Sequence, residues 1–290
     1  MDAKIAALAP TGFWKLNESS GTTAADSSGF GNHMTTDGWE TPLWGDDAGP
    51  PGEQAADFDT GASGPGGDAS RVVRAWDAVT DSFTAGIWVS VHNFDSNSFV
   101  FGQGGAEWSL EVRTSALAVA RLGGTGTAFV ESLNPLTVDT WTFLVFVYDH
   151  VNNLVKLYVD GLLQGTDDAT GILDMPPRDI WIGHYGDSGG GGSGFVHGGQ
   201  FTGSYAFWVP SALTSTDLLD IVAADGEIAT PGEGWVLTIG EGGEPVWTPP
   251  ATSSVGNPVD DTAVWLPLYD ADGTVVLDGD GNIIPTLIPI

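Results

Sequence analysis

Two glutamates stand where carboxylate chemistry could be done. In "EWSLE", Glu107 and Glu111 are four residues apart in an alternating stretch, so on a strand they share one face. A carboxylate pair on one face is the equipment of glycoside hydrolysis. Retention needs the two about 5–5.5 Å apart, with one pKa raised so that it can act as the acid. Arg113 lies two residues beyond Glu111 on the same face and is available to neutralise it. An ion pair holds a carboxylate ionised and removes the acid. The pattern therefore reads as an ion pair on a solvent face, and no catalytic residue is assigned.

Other motifs do less. The histidines at 33, 92, 150, 184 and 197 show no metal-ligand spacing. No nucleophile elbow or triad pattern is present. "GDSGGGGSGF" (186–195) is rich in glycine, but it lacks the lysine and following helix of a phosphate loop. Counting from Asp278, an EF-hand would need Gly and Glu where Ile283 and Pro289 stand, so "DGDGN" reads as a turn. Trp39, Trp44 and Trp76 lie in loop-like sequence. Loop tryptophans stack on sugar rings, plug a neighbouring subunit or cap the end of a fold. Trp76 reads as a cap, and Trp39 and Trp44 are the ligand-binding candidates.

Composition narrows the partners. The chain has 290 residues, 38 acids and 8 bases, a formal charge of −30. That surface repels nucleic acid and anionic membranes, and it suits saline water, where screening weakens self-repulsion. There is no cysteine, hence no disulfide framework. The N-terminal "MDAKIAALAP" is too short and too weakly charged for a secretory signal, and no apolar run reaches the about 20 residues of a membrane span. The expectation is synthesis in the cytosol.

The elements that would position these residues are mostly strands. "FTAGIWVSV" (83–91), "EWSLEVR" (107–113), "WTFLVFVYD" (141–149), "DIWIGHYG" (179–186) and "QFTGSYAFWV" (200–209) have strand composition. The unbroken apolar run at 141–149 predicts a central strand buried on both faces. "LVKLYVDGLLQG" (154–165) reads as a hairpin with a type I′ turn at Asp160–Gly161. Only "LTSTDLLDIVAADG" looks helical, with Thr214 as cap, Asp217 three residues on and Gly226 at its end. The reading is all-β: a two-sheet antiparallel domain over 1–226 with one short helix, then a C-terminal arm of hairpins and extended chain over 227–290.

Residues 5–225 resemble the laminin-G-like branch of the concanavalin A-like lectin and glucanase jelly rolls. The resemblance is carried in order by "LAPTGFWKLNESSGTTAADSSGFGNH", "FDTGASG", "DSFTAGIWVSV", "WTFLVFVYD", "KLYVDGLLQG", "IWIG" and "FTGSYAFWVPSALTSTDL". It implies two antiparallel sheets of six or seven strands each. It also implies a structural calcium near the opening loop, where Asp26 and Asn32 match the family's positions. The further acid that members supply from the strand matching "FTGSYAFW" is absent, since Ser204, Tyr205 and Ala206 stand there. The alternative is that Asp26 and Ser27 make side-chain turns while Gly29 and Gly31 take positive φ. Glucanases on this fold carry Glu-x-Asp-x-Glu; here Ser109 replaces the middle acid.

Three functions fit. The first is a non-enzymatic virion structural protein of a tailed phage (capsid decoration, fibre or tail component) that assembles with other virion proteins and with itself and touches host glycans. The second is a free secreted or surface lectin. The third is a hydrolase using Glu107 and Glu111. The apolar end "IIPTLIPI", suited to gripping a partner, favours the first.

Overall fold

The computed structural model describes residues 2–36, 42–49, 54–58, 70–95, 97–104, 107–123, 127–170, 175–183 and 201–225, with four further strands between 236 and 289. The chain divides into two compact units, Met1–Thr230 and Pro231–Ile290.

The larger unit runs α1 (Asp2–Ala7), β1 (Gly12–Trp14), β2 (Thr23–Ala24), β3 (Met34–Thr35), β4 (Leu43–Ala48), β5 (Gln54–Asp57), β6 (Arg71–Trp76), β7 (Phe83–Val91) and β8 (Ser98–Gln103). It continues through β9 (Trp108–Val112), β10 (Ala118–Leu122), β11 (Ala128–Glu131), β12 (Trp141–Asp149), β13 (Leu154–Val159), β14 (Leu162–Asp168), β15 (Arg178–Gly183), β16 (Phe201–Val209) and α2 (Ser215–Asp225). One sheet has the order β14-β13-β12-β7-β16-β5-β4, with β1 also on β16; the other runs β11-β10-β9-β8-β15-β6-β3-β2. All pairings are antiparallel, and each sheet has eight strands rather than six or seven, because short pieces such as β1, β2 and β3 extend them.

The main core lies between the sheets. Ile87 and Val89 of β7 and Leu144 and Phe146 of β12 meet Phe101 of β8 and Trp108 and Leu110 of β9, all buried. β12 is buried on both faces as its sequence predicts. Phe143, Val145 and Val147 point the other way, into a second cluster with Ile5 of α1 and Leu218, Ile221 and Val222 of α2. Burying each of these helix residues contributes about 1.5–3 kcal/mol relative to exposure.

Two helices therefore cover this sheet where the sequence suggests one. In α1 the cue is short: six residues, with Ile5 fully buried, ended before Pro10. α2 begins with a capping box. Thr214 N–H donates to Asp217 Oδ2 at 2.9 Å, and Asp217 N–H donates back to Thr214 Oγ1 at 3.3 Å.

The hairpin turn is also as expected, with Asp160 at φ 51° and Gly161 at φ 77°. β16 carries a bulge between Ser204 and Phe207, with Tyr205 at φ 52°. The bulge falls where one edge of β16 passes from β5, at Thr202 and Gly203, to β1, at Ala206–Trp208. An extra residue re-aims a strand at such a change of partner.

The smaller unit holds two hairpin pairings: Val236–Ile239 (β17) with Pro245–Thr248 (β18), and Ala263–Pro267 (β19) with Pro285–Pro289 (β20). Among the described residues no helix is long and apolar enough to cross a membrane.

Candidate functional site

The opening loop is organised by one carboxylate. Asp26 Oδ1 accepts the N–H groups of Phe13 (3.0 Å) and Ser28 (2.8 Å). Its Oδ2 accepts the Ser28 hydroxyl (2.7 Å) and the Asn32 N–H (2.7 Å). Burial would raise the Asp26 pKa, but the bonds from Ser28, Phe13 and Asn32 outweigh it and hold the carboxyl below its ordinary value. Gly29 and Gly31 take φ 92° and 72°, so the chain can reverse within the reach of a single side chain. Asn32 turns its amide nitrogen to Thr11 O, and its backbone oxygen accepts the buried Trp14 indole N–H at 2.7 Å.

Asp26 and Asn32 are thus brought together as the sequence suggests. The four lone-pair positions of the carboxylate are all occupied by donors of the chain. A cation there would have to displace them. Among the described residues no group of three or more His, Asp or Glu is placed to hold a metal. Ser204 is fully buried beneath the bulge.

Fixing the loop in this way projects Phe30 outward, with 67% of its surface exposed. Phe30 stands on the rim of an open cleft of about 750 Å³ at the end of the sandwich, opposite the segment Arg74–Phe83. Trp76, the last residue of β6, is half-buried and forms the aromatic wall. Its ring lies 6.3 Å from Trp14 and 5.6 Å from Trp208, edge-on to the first and tilted to the second. Asn32, Arg74, Asp77 and Asp81 supply polar groups around it, and Arg74 also reaches His33 O at 3.5 Å. An aromatic wall in a cleft that also holds donors and acceptors suits a ring that carries hydroxyl groups.

The tryptophans separate. Trp76 caps the core end, as its sequence suggests, and lines the cleft as well. It sits on a strand, not in a loop, and so does Trp44, in β4. Trp44 is half-buried against the core, and its indole N–H donates to Gly21 O at 2.8 Å, so it clamps the opening loop. Trp39, His184, His197 and the segment 186–195 lie outside the described residues. Sequence reasoning did not single out Phe30, Arg74, Asp77 or Asp81. The available signal was one aromatic residue, Phe30, standing between two glycines.

The glutamate pair is placed differently. Trp108, Leu110 and Val112 face the core, so Ser109 and Glu111 face away from it. Glu107 precedes β9 and is half-buried. The expected solvent face is absent at Glu111, which is 1% exposed; its carboxylate accepts Ser109 Oγ–H at 2.6 Å and pairs with Arg113 Nη2 at 2.7 Å. The ion pair foreseen from the sequence is present, but in a buried setting. Alternation shows which face a residue takes and not whether that face is covered.

Comparison with known proteins follows the fold. Residues 65–204 match the sequence model of the concanavalin A-like lectin/glucanases superfamily. No curated protein matches the chain. Among solved structures, the binding domain of botulinum neurotoxin serotype G aligns with a TM-score of 0.55 at 12% identity, over 75% of this chain and 51% of that one. Botulinum neurotoxin type C, described as depending for its passage into cells on interaction with two ganglioside molecules, aligns with a TM-score of 0.55 at 10% identity, over 81% and 55%. The Trypanosoma rangeli sialidase aligns with a TM-score of 0.52 at 14% identity, over 76% and 33%. The chain spans about half the length of these neurotoxin domains and a third of the sialidase, and at such identities the likeness is one of fold. Sequence match and sheet order agree: the larger unit has a two-sheet antiparallel jelly-roll fold, and its residues 65–204 are similar to the concanavalin A-like lectin/glucanases superfamily.

Proposed function

We propose that this protein is a non-enzymatic carbohydrate-binding module and that the cleft at the sandwich end holds the sugar. One observation carries the reading: a cleft of about 750 Å³ is lined by a tryptophan wall, Trp76, an exposed ring, Phe30, and the polar residues Asn32, Arg74, Asp77 and Asp81. Botulinum neurotoxin type C, with its dependence on two ganglioside molecules, supports a sugar ligand by likeness of fold alone. Against the hydrolase reading, Glu111 is 1% exposed and engaged by Ser109 and Arg113, so it does not face a substrate.

The test is a glycan array followed by titration of the hits. Saturable binding should fall at least tenfold in Phe30→Ala with the melting temperature unchanged, since Phe30 supports no core. Trp76→Ala should abolish binding with some loss of stability. Trp44→Ala in the same series tests the sequence-derived assignment of that ring to the ligand. Absence of any bound glycan, or binding indifferent to Phe30 and Trp76, would overturn the proposal.

A second reading concerns where the module works. Among the described residues the smaller unit contains two two-stranded sheets, and its sequence includes the apolar run "IIPTLIPI". Isolated hairpins are marginal in water, which favours a unit that gains stability by docking on a partner. We assign it the role of anchor in a larger assembly, with virion structural protein as the specific form and further copies of the chain among its partners. Deleting residues 231–290 should leave a folded jelly roll that no longer enters particles; normal incorporation would refute the anchor.

A further inference from the structure

A second pocket lies on the outer face of the other sheet. Strands β9, β10 and β11 pair in sequence, with Ser109 opposite Arg121 and Arg121 opposite Phe129. Their inward residues, Leu110, Ala120 and Val130 among them, are in the core. Of the outward residues Ser109, Glu111 and Val119 are buried, while Arg121, Phe129 and Glu131 reach the surface. There Arg113, Arg121, Phe129 and Glu131, with Asn97 and Thr127, line an open pocket of about 480 Å³. That volume is within the about 300–1,000 Å³ of small-ligand sites.

The charges in this pocket are unevenly matched. Arg113 is taken up by buried Glu111 at 2.7 Å. Arg121 is half-buried, and among the described residues its side chain makes no hydrogen bond or ion pair. In a chain with 38 acids and 8 bases this matters. A free arginine beside so many carboxylates would ordinarily find one, and Glu131 lies in the same pocket without bonding to it. Next to Arg121 in register is Phe129, 52% exposed, an apolar ring held on a strand in water. A guanidinium fork recognises a carboxylate in two-point geometry, while an exposed ring stacks on the apolar face of a pyranose.

We propose that this pocket is a separate binding site for an acidic sugar, a pyranose bearing one carboxylate. The carboxylate meets Arg121, the ring lies on Phe129, and Glu131, Asn97 and Thr127 take the hydroxyl groups. Uronic acids and nonulosonic acids share this chemistry. The net charge of −30 repels any acid at long range, so binding here depends on the local groups and not on a general field.

The test is residue-resolved NMR titration of the full chain with a glucuronate-terminated disaccharide, with sialyllactose, and with the methyl ester of each. At least one acid should saturate with shifts at the Arg121 side chain and Phe129 ring, and its ester should bind at least tenfold more weakly. Which acid responds identifies the source. Arg121→Ala should remove the binding at unchanged melting temperature, and Arg121→Lys should restore only part of it. The proposal is overturned if neither acid binds, if acid and ester bind alike, or if Arg121→Ala binds as before. It is also overturned if the shifts appear at Phe30 and Trp76 instead, an outcome that would leave the end cleft as the sugar site and this pocket without a role.

Discussion

Replacing Asp26 by Asn should loosen the whole opening segment. The substitution keeps an oxygen at Oδ1 for Phe13 and Ser28 N–H but turns an amide NH2 toward the Asn32 N–H and the Ser28 hydroxyl, which donate to Oδ2 at 2.7 Å each. The hydroxyl can rotate and accept; the backbone amide cannot. A hydrogen bond to a charged group is worth about 1.5–3 kcal/mol, and with the loop partly open to water the expected loss is about 2–3 kcal/mol. For a domain of this size that is a fall in melting temperature of roughly 5–10 °C. The pH dependence sharpens the expectation. The folded-state pKa of Asp26 lies below its ordinary value, so its contribution is complete above the unfolded pKa of about 3.9 and is lost as pH falls through the folded one. The gap between wild type and Asp26→Asn in thermal melts should be constant from neutral pH down to about pH 5 and close below about pH 4. A gap that is absent at pH 7, or that persists undiminished in acid, would refute the assignment of Asp26 as the loop's organising anion.

Three further outcomes are expected. Calcium or a chelator should leave the melting temperature unchanged, because the Asp26 carboxylate is already saturated by four donors; a calcium-dependent rise would put an ion at Asp26 and Asn32. Arg113→Ala strands the Glu111 carboxylate, 1% exposed, with Ser109 as its remaining partner, and chemical denaturation should show a loss near the low end of about 3–5 kcal/mol. Thr214→Ala removes the cap of α2 and should cost about 1 kcal/mol by the same assay, since Thr214 and Asp217 bond reciprocally there.

What the sequence discloses here depends on the range of the interaction. β7 and β12 are legible because nine consecutive residues of suitable type already describe a buried strand, and they appear with the expected bounds. The Asp160–Gly161 turn and the Thr214 cap are legible because each is complete within a few residues. α1 is not, since it is six residues long and Ile5 is the one buried side chain among its described residues, which shows no period. Trp44 and Trp76 look like loop residues because Gly, Asp and Arg beside them break the apolar pattern, and only pairing to β5 and to β15 makes them strand. The cleft is the least legible feature. Phe30, Arg74, Pro177 and Trp208 meet there from four separate stretches, and only the completed sheet order brings them together.

Neither sheet leaves a broad face for binding. The sheet containing β12 has both faces buried, one by the opposing sheet and one by α1 and α2, so its broad surface is spent on stability. In the other sheet β8 and β9 are buried along their whole length, so recognition is left to the end of the sandwich and to the pocket at the β10–β11 edge. At the end, one tryptophan does two jobs. Trp76 packs on Trp14 and Trp208 and so closes the core, while its remaining half faces the cleft. Rigid aromatic walls bind well because no rotamer entropy is lost on binding, and packing from behind supplies that rigidity. The rim opposite has no such backing. Phe30 touches mainly water, and its position derives from the Asp26 hydrogen bonds at the base of its loop. Loss of Asp26 would therefore act on the ligand through Phe30 and leave the Trp76 wall in place, which separates a loosened rim from a damaged core.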